Sequence, residues 1–551
     1  MIARLRAIPL RSVTKRPKLL VYIFLAVTIC AFVGCGGGDK KGGSKDRQFS
    51  ESGRANKDGL SYKKVSRPTN QSAPKSPEIQ NPANFDNIVE NAYQLAALRP
   101  KSTFSVDVDT ASYTLVRGEI MDRNTLPTKN SVRLEEMINY FHYNYPNPSG
   151  EHPISVNTEV AKAFWDPRLH LVRIGLKAKE VPDAEIPNMN LVFLLDKSGS
   201  MNTPTRLPLF KQALRLLLQR LRKEDQVAIV TYNDNAQVAL PSTPVRDMDT
   251  ILTALSKIHP GGSTNGGAGL EEAYAIASKN FIQGGVNRVI LGTDGDFNVG
   301  TTGRDPLVRL IEDKRKSGIT LSVLGFGVNN LQDGQLQAIA QKGNGQYSHI
   351  GKMSDATRFF LEKLGTFHLI AKNVKIQIEF NPTEVYAYRL LGYENRKMAN
   401  KDFDDDTKDA GDMGAGQTVT AYYVVAPHGT ELNHPVEPNA SPETKSAPNG
   451  PEGTLMTVRV RYLKPDNVES RLISQAVGKN DQSFNNASRD FRFSAAVASF
   501  GMLLRNSKYR GSTSYQKVID IVSRSGGAEQ GTERGEFRNL VIRTQQLRGN
   551  E

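Results

Sequence analysis

Residues 190–202, NLVFLLDKSGSMN, contain the stretch that decides the fold of this chain. The stretch opens with an uninterrupted apolar run, which is typical of a strand buried on both faces in a parallel sheet covered by helices. The run ends at Asp196, after which Ser198 and Ser200 alternate through a loop. One carboxylate and two hydroxyls at alternate positions can converge on a hard cation such as Mg²⁺, which prefers octahedral oxygen ligands.

Two later stretches supply further oxygen ligands. Residues 261–269, GGSTNGGAG, carry Thr264 in a glycine-rich loop ahead of a helical run. Residues 288–298, RVILGTDGDFN, contain a second buried strand that delivers Asp294 to the loop at its end. Loops at the carboxyl ends of parallel strands share one rim of an open α/β sheet, where ligands bind. The residues predicted to meet at this rim are Asp196, Ser198, Ser200, Thr264 and Asp294.

This order of motifs resembles the von Willebrand factor type A (VWA) domain and its metal-ion-dependent adhesion site. The family pattern is Asp-x-Ser-x-Ser, then Thr, then Asp, and all five positions match. The resemblance implies that these five residues bind one divalent cation, usually Mg²⁺, with Mn²⁺ or Ca²⁺ as alternatives. It also implies a protein partner that presents an Asp or Glu carboxylate to the open position of the ion. The alternative is that the polar residues only cap loops and helices.

The remaining pattern predicts several segments, because the 551 residues are too many for one core. The predicted fold class is α/β: a doubly wound, Rossmann-like VWA domain inserted between flanking mixed α+β regions, with a β-rich domain and C-terminal helices. The predicted segments are a lipoprotein signal peptide (1–34), a disordered tether (35–85), an N-terminal VWA-associated region (86–184), the VWA domain (188–370), the β-rich domain (372–463) and a C-terminal helical region (464–551).

The first residues have the pattern of an export signal. A basic region precedes the apolar run 19–33, which is shorter than a membrane-spanning helix. Residues 31–35, AFVGC, resemble a bacterial lipobox, which implies cleavage before Cys35 and lipidation of its thiol. Ordinary signal cleavage or an uncleaved anchor is the alternative. We therefore expect a lipid-anchored protein of the bacterial cell envelope, at the outer membrane or the outer face of the cytoplasmic membrane.

Charge and cysteine content limit the classes of partner and the kinds of stabilisation to be expected. Removing the six basic residues of segment 1–34 from the formal charge of +14 leaves +8, spread along the chain without a basic helix or a nucleic-acid motif. Nucleic acid is therefore not an expected partner. Only Cys30 and Cys35 are present, so the mature chain would hold no disulfide and would depend on its core and on ions.

The segments before and after the predicted VWA domain carry weaker signals of secondary structure and of metal binding. Residues 85–98 predict a helix. Asp107 and Asp109 follow an alternating strand pattern, for which a solvated strand face is the default and a second cation site the alternative. The acidic loop 402–412 lacks the glycine and glutamate positions of an EF-hand, so it reads as a solvated loop rather than a Ca²⁺ site.

The two strand-like flanks are expected to meet. In a doubly wound domain the first strand enters, and the last helix leaves, at the pole opposite the metal rim. Segments 154–176 and 374–463 are thus delivered to the same place. Pairing between them would cover strand edges that each would leave open. We predict one shared β-domain with the VWA domain inserted in it and its metal rim facing outward.

The flanks also resemble a group of bacterial VWA lipoproteins, the YfbK-like proteins. The matching stretches are 102–113, 133–145, 392–396 (GYENR), 491–493 (FRF) and 503–505 (LLR). The resemblance covers nearly all of residues 85–547.

An adhesion module is favoured over an enzyme. The eight histidines form no HExxH motif, and neither a GxSxG elbow nor a phosphate-binding GxxxxGK[ST] loop occurs. Neutral hydroxyl ligands leave a cation strongly electrophilic, which suits capture of an external carboxylate better than activation of water. The sequence thus predicts a membrane-anchored extracytoplasmic binding module. A structural or assembly lipoprotein of the envelope is the alternative, ahead of a metal-dependent hydrolase.

Overall fold

The computed structural model describes residues 85–263, 265–295, 297, 304–327, 331–437, 453–465 and 469–549. The strands are β1 (Gln94–Leu95), β2 (Lys101–Ser105), β3 (Ile154–Ala163), β4 (Asp166–Ala178), β5 (Met189–Asp196), β6 (Gln226–Tyr232), β7 (Ala236–Pro244), β8 (Val286–Thr293), β9 (Ile319–Phe326), β10 (Tyr347–Ile350), β11 (Leu369–Phe380), β12 (Val385–Leu391), β13 (Lys397–Met398), β14 (Gly411–Gly414), β15 (Thr418–Pro427), β16 (Thr454–Leu463) and β17 (Ser470–Gly478). The α-helices are α1 (Ala111–Arg117), α2 (Leu134–Asn139), α3 (Leu207–Leu218), α4 (Met248–Ser256), α5 (Gly266–Lys279), α6 (Arg304–Lys316), α7 (Asp333–Lys342), α8 (Met353–Thr357), α9 (Arg489–Leu504), α10 (Tyr515–Arg524) and α11 (Glu533–Leu547).

The middle of the chain folds into a doubly wound sheet. Its strand order is β10-β9-β8-β5-β6-β7, parallel except for the antiparallel edge strand β7. Strands β5 and β8 are buried along their whole length, as their unbroken apolar runs predict. Apolar residues of α3, α4 and α8 form the core on one face of the sheet. Those of α5, α6 and α7 form the core on the other face, together with two residues of α1.

The flanking segments build one shared β-sandwich. One sheet has the order β1-β12-β15-β4-β3, and the other has the order β13-β2-β11-β16-β17. The β4–β15 ladder runs from Lys177 opposite Thr418 to His170 opposite Val425. A common apolar core lies between the two sheets. The predicted pairing of segments 154–176 and 374–463 is thus confirmed, and the doubly wound domain is inserted between β4 and β11.

The C-terminal helices cover the sandwich. Helices α9, α10 and α11 pack with α1 and α2 around an aromatic-rich core that also takes Tyr422 and Val424 from β15. The Tyr422 hydroxyl lies within 2.6 Å of the Ser494 hydroxyl and thereby ties this strand to α9. The sandwich, the inserted domain and the C-terminal helices therefore share contacts through the short α1–α2 segment.

One sequence prediction in the flanks is wrong. Residues 85–92 have no regular structure, and β1 replaces the predicted helix by pairing with β12. Asn91 donates its side-chain amide to the carbonyls of Leu390 and Gly392, so long-range contacts outweigh helix propensity there. The predicted C-terminal helices are confirmed as α9, α10 and α11, but they follow β17, an edge strand with alternating exposed residues that the sequence prediction did not include.

No helix among the described residues is both long enough and apolar enough to cross a membrane. The predicted signal peptide and residues 35–84 of the predicted tether lie outside the described residues.

Candidate metal centre

The predicted rim lies where β5 and β8 end side by side. These neighbouring strands run parallel, so their carboxyl ends reach the same edge of the sheet. Asp196 is the last residue of β5, and Asp294 follows directly after β8. Both carboxylates are buried, with 0% and 1% of the residue exposed, respectively. Two buried acidic groups at one edge call for a cation or for strong hydrogen bonding.

The loop after Asp196 turns its hydroxyls together. The backbone N–H of Ser198 donates to Oδ1 of Asp196 over 2.8 Å, and the Ser198 and Ser200 hydroxyls lie 3.0 Å apart. A 3₁₀ turn at Gly199–Met201 follows. Ser198 is buried whereas Ser200 is exposed, so the hydroxyl pair runs from the buried carboxylate to the surface. This is the convergence that alternate positions in the sequence predict.

Backbone hydrogen bonds join this loop to the glycine-rich segment. The Gly199 N–H donates to the Gly262 carbonyl over 3.1 Å, and the Gly261 N–H donates to the Lys197 carbonyl over 2.7 Å. The segment that carries Thr264 is therefore held against the Asp-x-Ser-x-Ser loop. Thr264 itself lies outside the described residues.

Asp196 is oriented by two side chains that sequence reasoning missed. Its Oδ2 accepts hydrogen bonds from the Thr293 hydroxyl at 3.2 Å and the Tyr232 hydroxyl at 3.3 Å. Burial raises the pKa of Asp196 to about 6, and the nearby charge of Asp294 adds to that effect, against hydrogen bonds from Ser198. Both missed residues are the last of their strands, β8 and β6, and that position at the rim was the available signal.

Asp294 has one satisfied and one unsatisfied oxygen. Its Oδ2 accepts a hydrogen bond from Nη1 of Arg206 at 2.6 Å. Its Oδ1 is buried and has no hydrogen-bond partner among the described residues. An orphaned carboxylate oxygen beside a second buried carboxylate and two hydroxyls is the donor set that a hard divalent cation needs. The residues present therefore fit the predicted ion.

The structure thus brings four of the predicted residues, Asp196, Ser198, Ser200 and Asp294, to one edge of the sheet. Their role as ligands stays a prediction. Cys35, the predicted lipidation site, lies outside the described residues.

The second acidic cluster is not the solvated strand face that the sequence predicts. Asp107 and Asp109 are both 2% exposed. The Arg396 guanidinium donates to both carboxylates, at 2.9 Å and 2.8 Å, respectively. Glu136 completes the group and pairs with Arg133. Because arginine pairs with the carboxylates, the cluster is a buried ion-pair network that joins the segment after β2, helix α2 and the segment before β13.

The acidic loop 402–412, predicted to be solvated, is solvated only in part, because Phe403 and Asp412 are buried and residues 411–412 belong to β14. Arg461 of β16 pairs with Asp404 and Asp406 at 3.4 Å and 2.9 Å. Asp405 accepts hydrogen bonds from Thr407 in the same loop. These carboxylates are used by neighbouring side chains at the surface.

A doubly wound sheet whose first strand ends in Asp-x-Ser-x-Ser, with a second aspartate after the neighbouring strand, defines a VWA-domain protein. The family model of the von Willebrand factor type A domain matches residues 190–364. A von Willebrand factor model matches residues 79–173, and the model of the C-terminal part of the uncharacterized protein YfbK matches residues 365–547.

Known proteins are similar to the chain over different lengths. Uncharacterized protein YfbK of Escherichia coli (strain K12) is 37% identical over 477 residues, which cover 85% of this chain and 82% of that protein. The chain therefore belongs to the YfbK family of VWA-domain proteins. Inter-alpha-trypsin inhibitor heavy chain H2 of Sus scrofa is 30% identical over 149 residues, 25% of this chain and 16% of that protein. A solved von Willebrand factor type A structure from Catenulispora acidiphila covers 73% of this chain and 99% of its own, with 15% identity and a TM-score of 0.40.

VWA domains generally mediate protein–protein interaction and adhesion, and proteins of this class are typically interaction modules rather than enzymes. This coarse function applies to the inserted domain.

Proposed function

We propose that the protein is a lipid-anchored binding module of the bacterial cell envelope that captures a carboxylate of a partner protein through a divalent cation. Mg²⁺ is the ion we favour, because the donor set is made of hard oxygen ligands. Cys35 would anchor the chain, and the segment up to residue 85 would act as a tether. Nucleic acid has no part in this proposal.

The observation that carries the proposal is the orphaned Oδ1 of Asp294 beside the buried carboxylate of Asp196. Arg206 pairs with only one oxygen of Asp294, so the two buried carboxylates still carry one negative charge that a cation would compensate. Ser198 and Ser200 add neutral oxygen ligands, so the whole donor set stays low in charge. When bound, the cation would offer an open coordination position to an external carboxylate.

Each residue at the rim has a separate task in this proposal. Asp196, held by Thr293 and Tyr232, presents a fixed carboxylate. Asp294 supplies the second carboxylate. The exposed Ser200 marks the side from which a partner would approach. Thr264 is expected to add the fifth ligand, since its glycine-rich segment is hydrogen-bonded to the same loop.

The anchored location would place the rim outside the cytoplasm. The chain connections to β4 and β11 lie at the pole of the inserted strands away from Asp196. The α1–α2 segment contacts α7 and α8 beside the carboxyl ends of β9 and β10. In this proposal the partner would approach the rim from the side of the exposed Ser200.

Recovery of partners from solubilised membranes tests this function. The full chain is used as bait with MgCl₂ and again with EDTA, in wild-type form and as Asp196→Ala. We expect proteins that are recovered only with MgCl₂ and only by the wild type. Amidation of the carboxyl groups in the membrane extract should abolish their recovery, because the proposed contact is a partner carboxylate.

The matched control is Asp183→Ala, since Asp183 is an exposed residue paired with Arg220 far from the rim. This variant should recover the same proteins as the wild type. Partners that are recovered equally in EDTA, or equally by Asp196→Ala, would contradict metal-dependent capture and would favour a structural role in the envelope.

A further inference from the structure

Arg206 extends its side chain into the candidate metal centre. It lies just before α3, and its Nη1 donates to Oδ2 of Asp294 at 2.6 Å and to the Ser200 carbonyl at 2.5 Å. The side chain is only 12% exposed. On its other side the guanidinium lies against Gly327, where an added Cβ would come within 2.6 Å of Nε. Contacts with Asp294, the Ser200 carbonyl and Gly327 thus hold the Arg206 side chain in place.

The Arg206 guanidinium supplies a positive charge within the candidate metal centre. Of the side chains that the structure describes, Arg206 is the only cation within ion-pair distance of Asp196 or Asp294. Lys197 lies next to Asp196 in the chain, but its Nζ is directed to Oε1 of Gln237 at 3.3 Å. The charge of Asp294 is therefore balanced from inside the protein before any metal ion is present.

We propose that Arg206 is an internal counter-ion that competes with the divalent cation for Asp294 and lowers the affinity of the centre for the ion. The inference rests on the metal site of the proposed function and adds its regulation. With Arg206 present, the rim keeps its shape without the ion. Partner capture then follows the free concentration of divalent cation, and the site is not permanently loaded.

The physical reason is charge repulsion together with a shared ligand. A bound divalent cation and the guanidinium carry charge of the same sign, and a partly buried pair of this kind is weakly screened. Both also draw on the carboxylate of Asp294. A neutral residue at position 206 removes the repulsion and leaves both oxygens of Asp294 to the ion. The same substitution leaves the carboxylate uncompensated when no ion is bound.

The experiment is calorimetric titration of the full chain in detergent with MnCl₂, which stands in for Mg²⁺. The variants are Arg206→Met, which keeps the length of the side chain, and Arg206→Lys, which keeps the charge. Arg246→Met is the control, because Arg246 pairs with Glu224 at the surface. We expect Arg206→Met to bind Mn²⁺ about tenfold more tightly than the wild type, on the scale of partly buried charge pairs. Arg206→Lys should lie between the two, and Arg246→Met should match the wild type.

Thermal unfolding is the second readout. In EDTA we expect Arg206→Met to have a lower Tm than the wild type, and the rise in Tm on adding MnCl₂ to be larger, because the ion then supplies the missing charge. Should Arg206→Met not fold in either buffer, Arg206→Gln replaces it, since its amide can still donate to the Ser200 carbonyl.

The outcomes separate this inference from the proposed function. Mn²⁺ affinity in a folded, neutral Arg206 variant that equals or falls below that of the wild type overturns the counter-ion role and leaves the metal site standing. Binding of Mn²⁺ by the variant but not by the wild type supports the inference. Absence of binding in the wild type and in every variant overturns both the inference and the metal site.

Discussion

Arg133 and Asp333 form a buried ion pair between the α1–α2 segment and the inserted domain. Nη1 of Arg133 lies 2.5 Å from Oδ2 of Asp333, the first residue of α7. The two residues are 5% and 0% exposed. A second pair of this kind joins Arg117 of α1 to Asp355 of α8 at 2.6 Å. The inserted domain is therefore attached through side chains as well as through its two chain connections.

We expect Arg133→Met to lower the free energy of unfolding by about 3–5 kcal/mol, because it leaves the buried carboxylates of Asp333 and Glu136 without their arginine counter-ion. Urea unfolding followed by circular dichroism measures the change. Glu224→Gln is the control, since the Arg246–Glu224 pair is 54% and 62% exposed and should contribute less than about 1 kcal/mol. A loss for Arg133→Met no larger than that of the control would contradict a stabilising role for the junction.

Metal binding at the rim is tested directly by Asp294→Ala. We expect the wild-type chain to release or take up heat on titration with MgCl₂ or MnCl₂, and Asp294→Ala to lose that signal, because the substitution removes the carboxylate whose Oδ1 is unsatisfied. Asp183→Ala, at the surface, should behave as the wild type. Equal heats for the wild type and Asp294→Ala would rule out this aspartate as a ligand.

The pH dependence of stability should report on Asp412 of β14. Burial raises its pKa to about 6, and the charge of Asp409 adds to that effect, against a hydrogen bond from the Asn373 N–H. The folded state thus holds this proton more tightly than the unfolded state, whose Asp pKa is about 3.9. The stabilisation is complete below about pH 4 and is lost as the pH rises through about 6, for a total of up to about 3 kcal/mol.

Urea unfolding between pH 4 and 7 measures this contribution in the wild type and in Asp412→Asn. As the pH rises, the unfolding free energy of the wild type should fall relative to that of Asp412→Asn, because asparagine does not ionise. A difference that stays constant over this range would show that Asp412 titrates normally.

Close backbone packing at Gly414 predicts a large effect of a single methyl group. A Cβ there would lie 1.8 Å from the Thr366 carbonyl oxygen, where backbone cannot yield easily. We expect Gly414→Ala to destabilise the protein by about 1–3 kcal/mol or more. Gly478→Ala is the matched control, because a Cβ at the end of β17 meets nothing within 4 Å. Equal melting temperatures for the two variants would contradict close backbone packing at Gly414.

The proposed lipidation of Cys35 predicts a defined mature N-terminus. Mass spectrometry of the protein from membranes should show an acylated cysteine as the first residue, and Cys35→Ser should move the protein out of the membrane fraction. Gly36, rather than an aspartate, follows the cysteine, which by resemblance to model lipoproteins disfavours retention in the inner membrane. An unmodified N-terminus at another residue would exclude this anchor.

The sequence alone determined the doubly wound sheet and the edge at which its polar residues meet. The apolar runs of β5 and β8 identify buried parallel strands, and the residues that follow a strand must lie at its carboxyl end. Asp196 and Asp294 could therefore be assigned to one rim, because each step depends only on local pattern and on strand direction. The pairing of β4 with β15 followed from the same geometry.

Only the tertiary structure decided which charges are buried and what neutralises them. Asp107 lies in an alternating polar pattern that indicates solvent, yet Arg396, 289 residues further along the chain, pairs with it in the core. Arg206 contacts Asp294, which lies 88 residues further along the chain, and no periodic pattern in the sequence predicts that contact. Burial depends on what packs over a residue, and contacts over such separations are set by the fold as a whole. Local pattern can therefore assign strands and rims, but it cannot assign the ion pairs that join them.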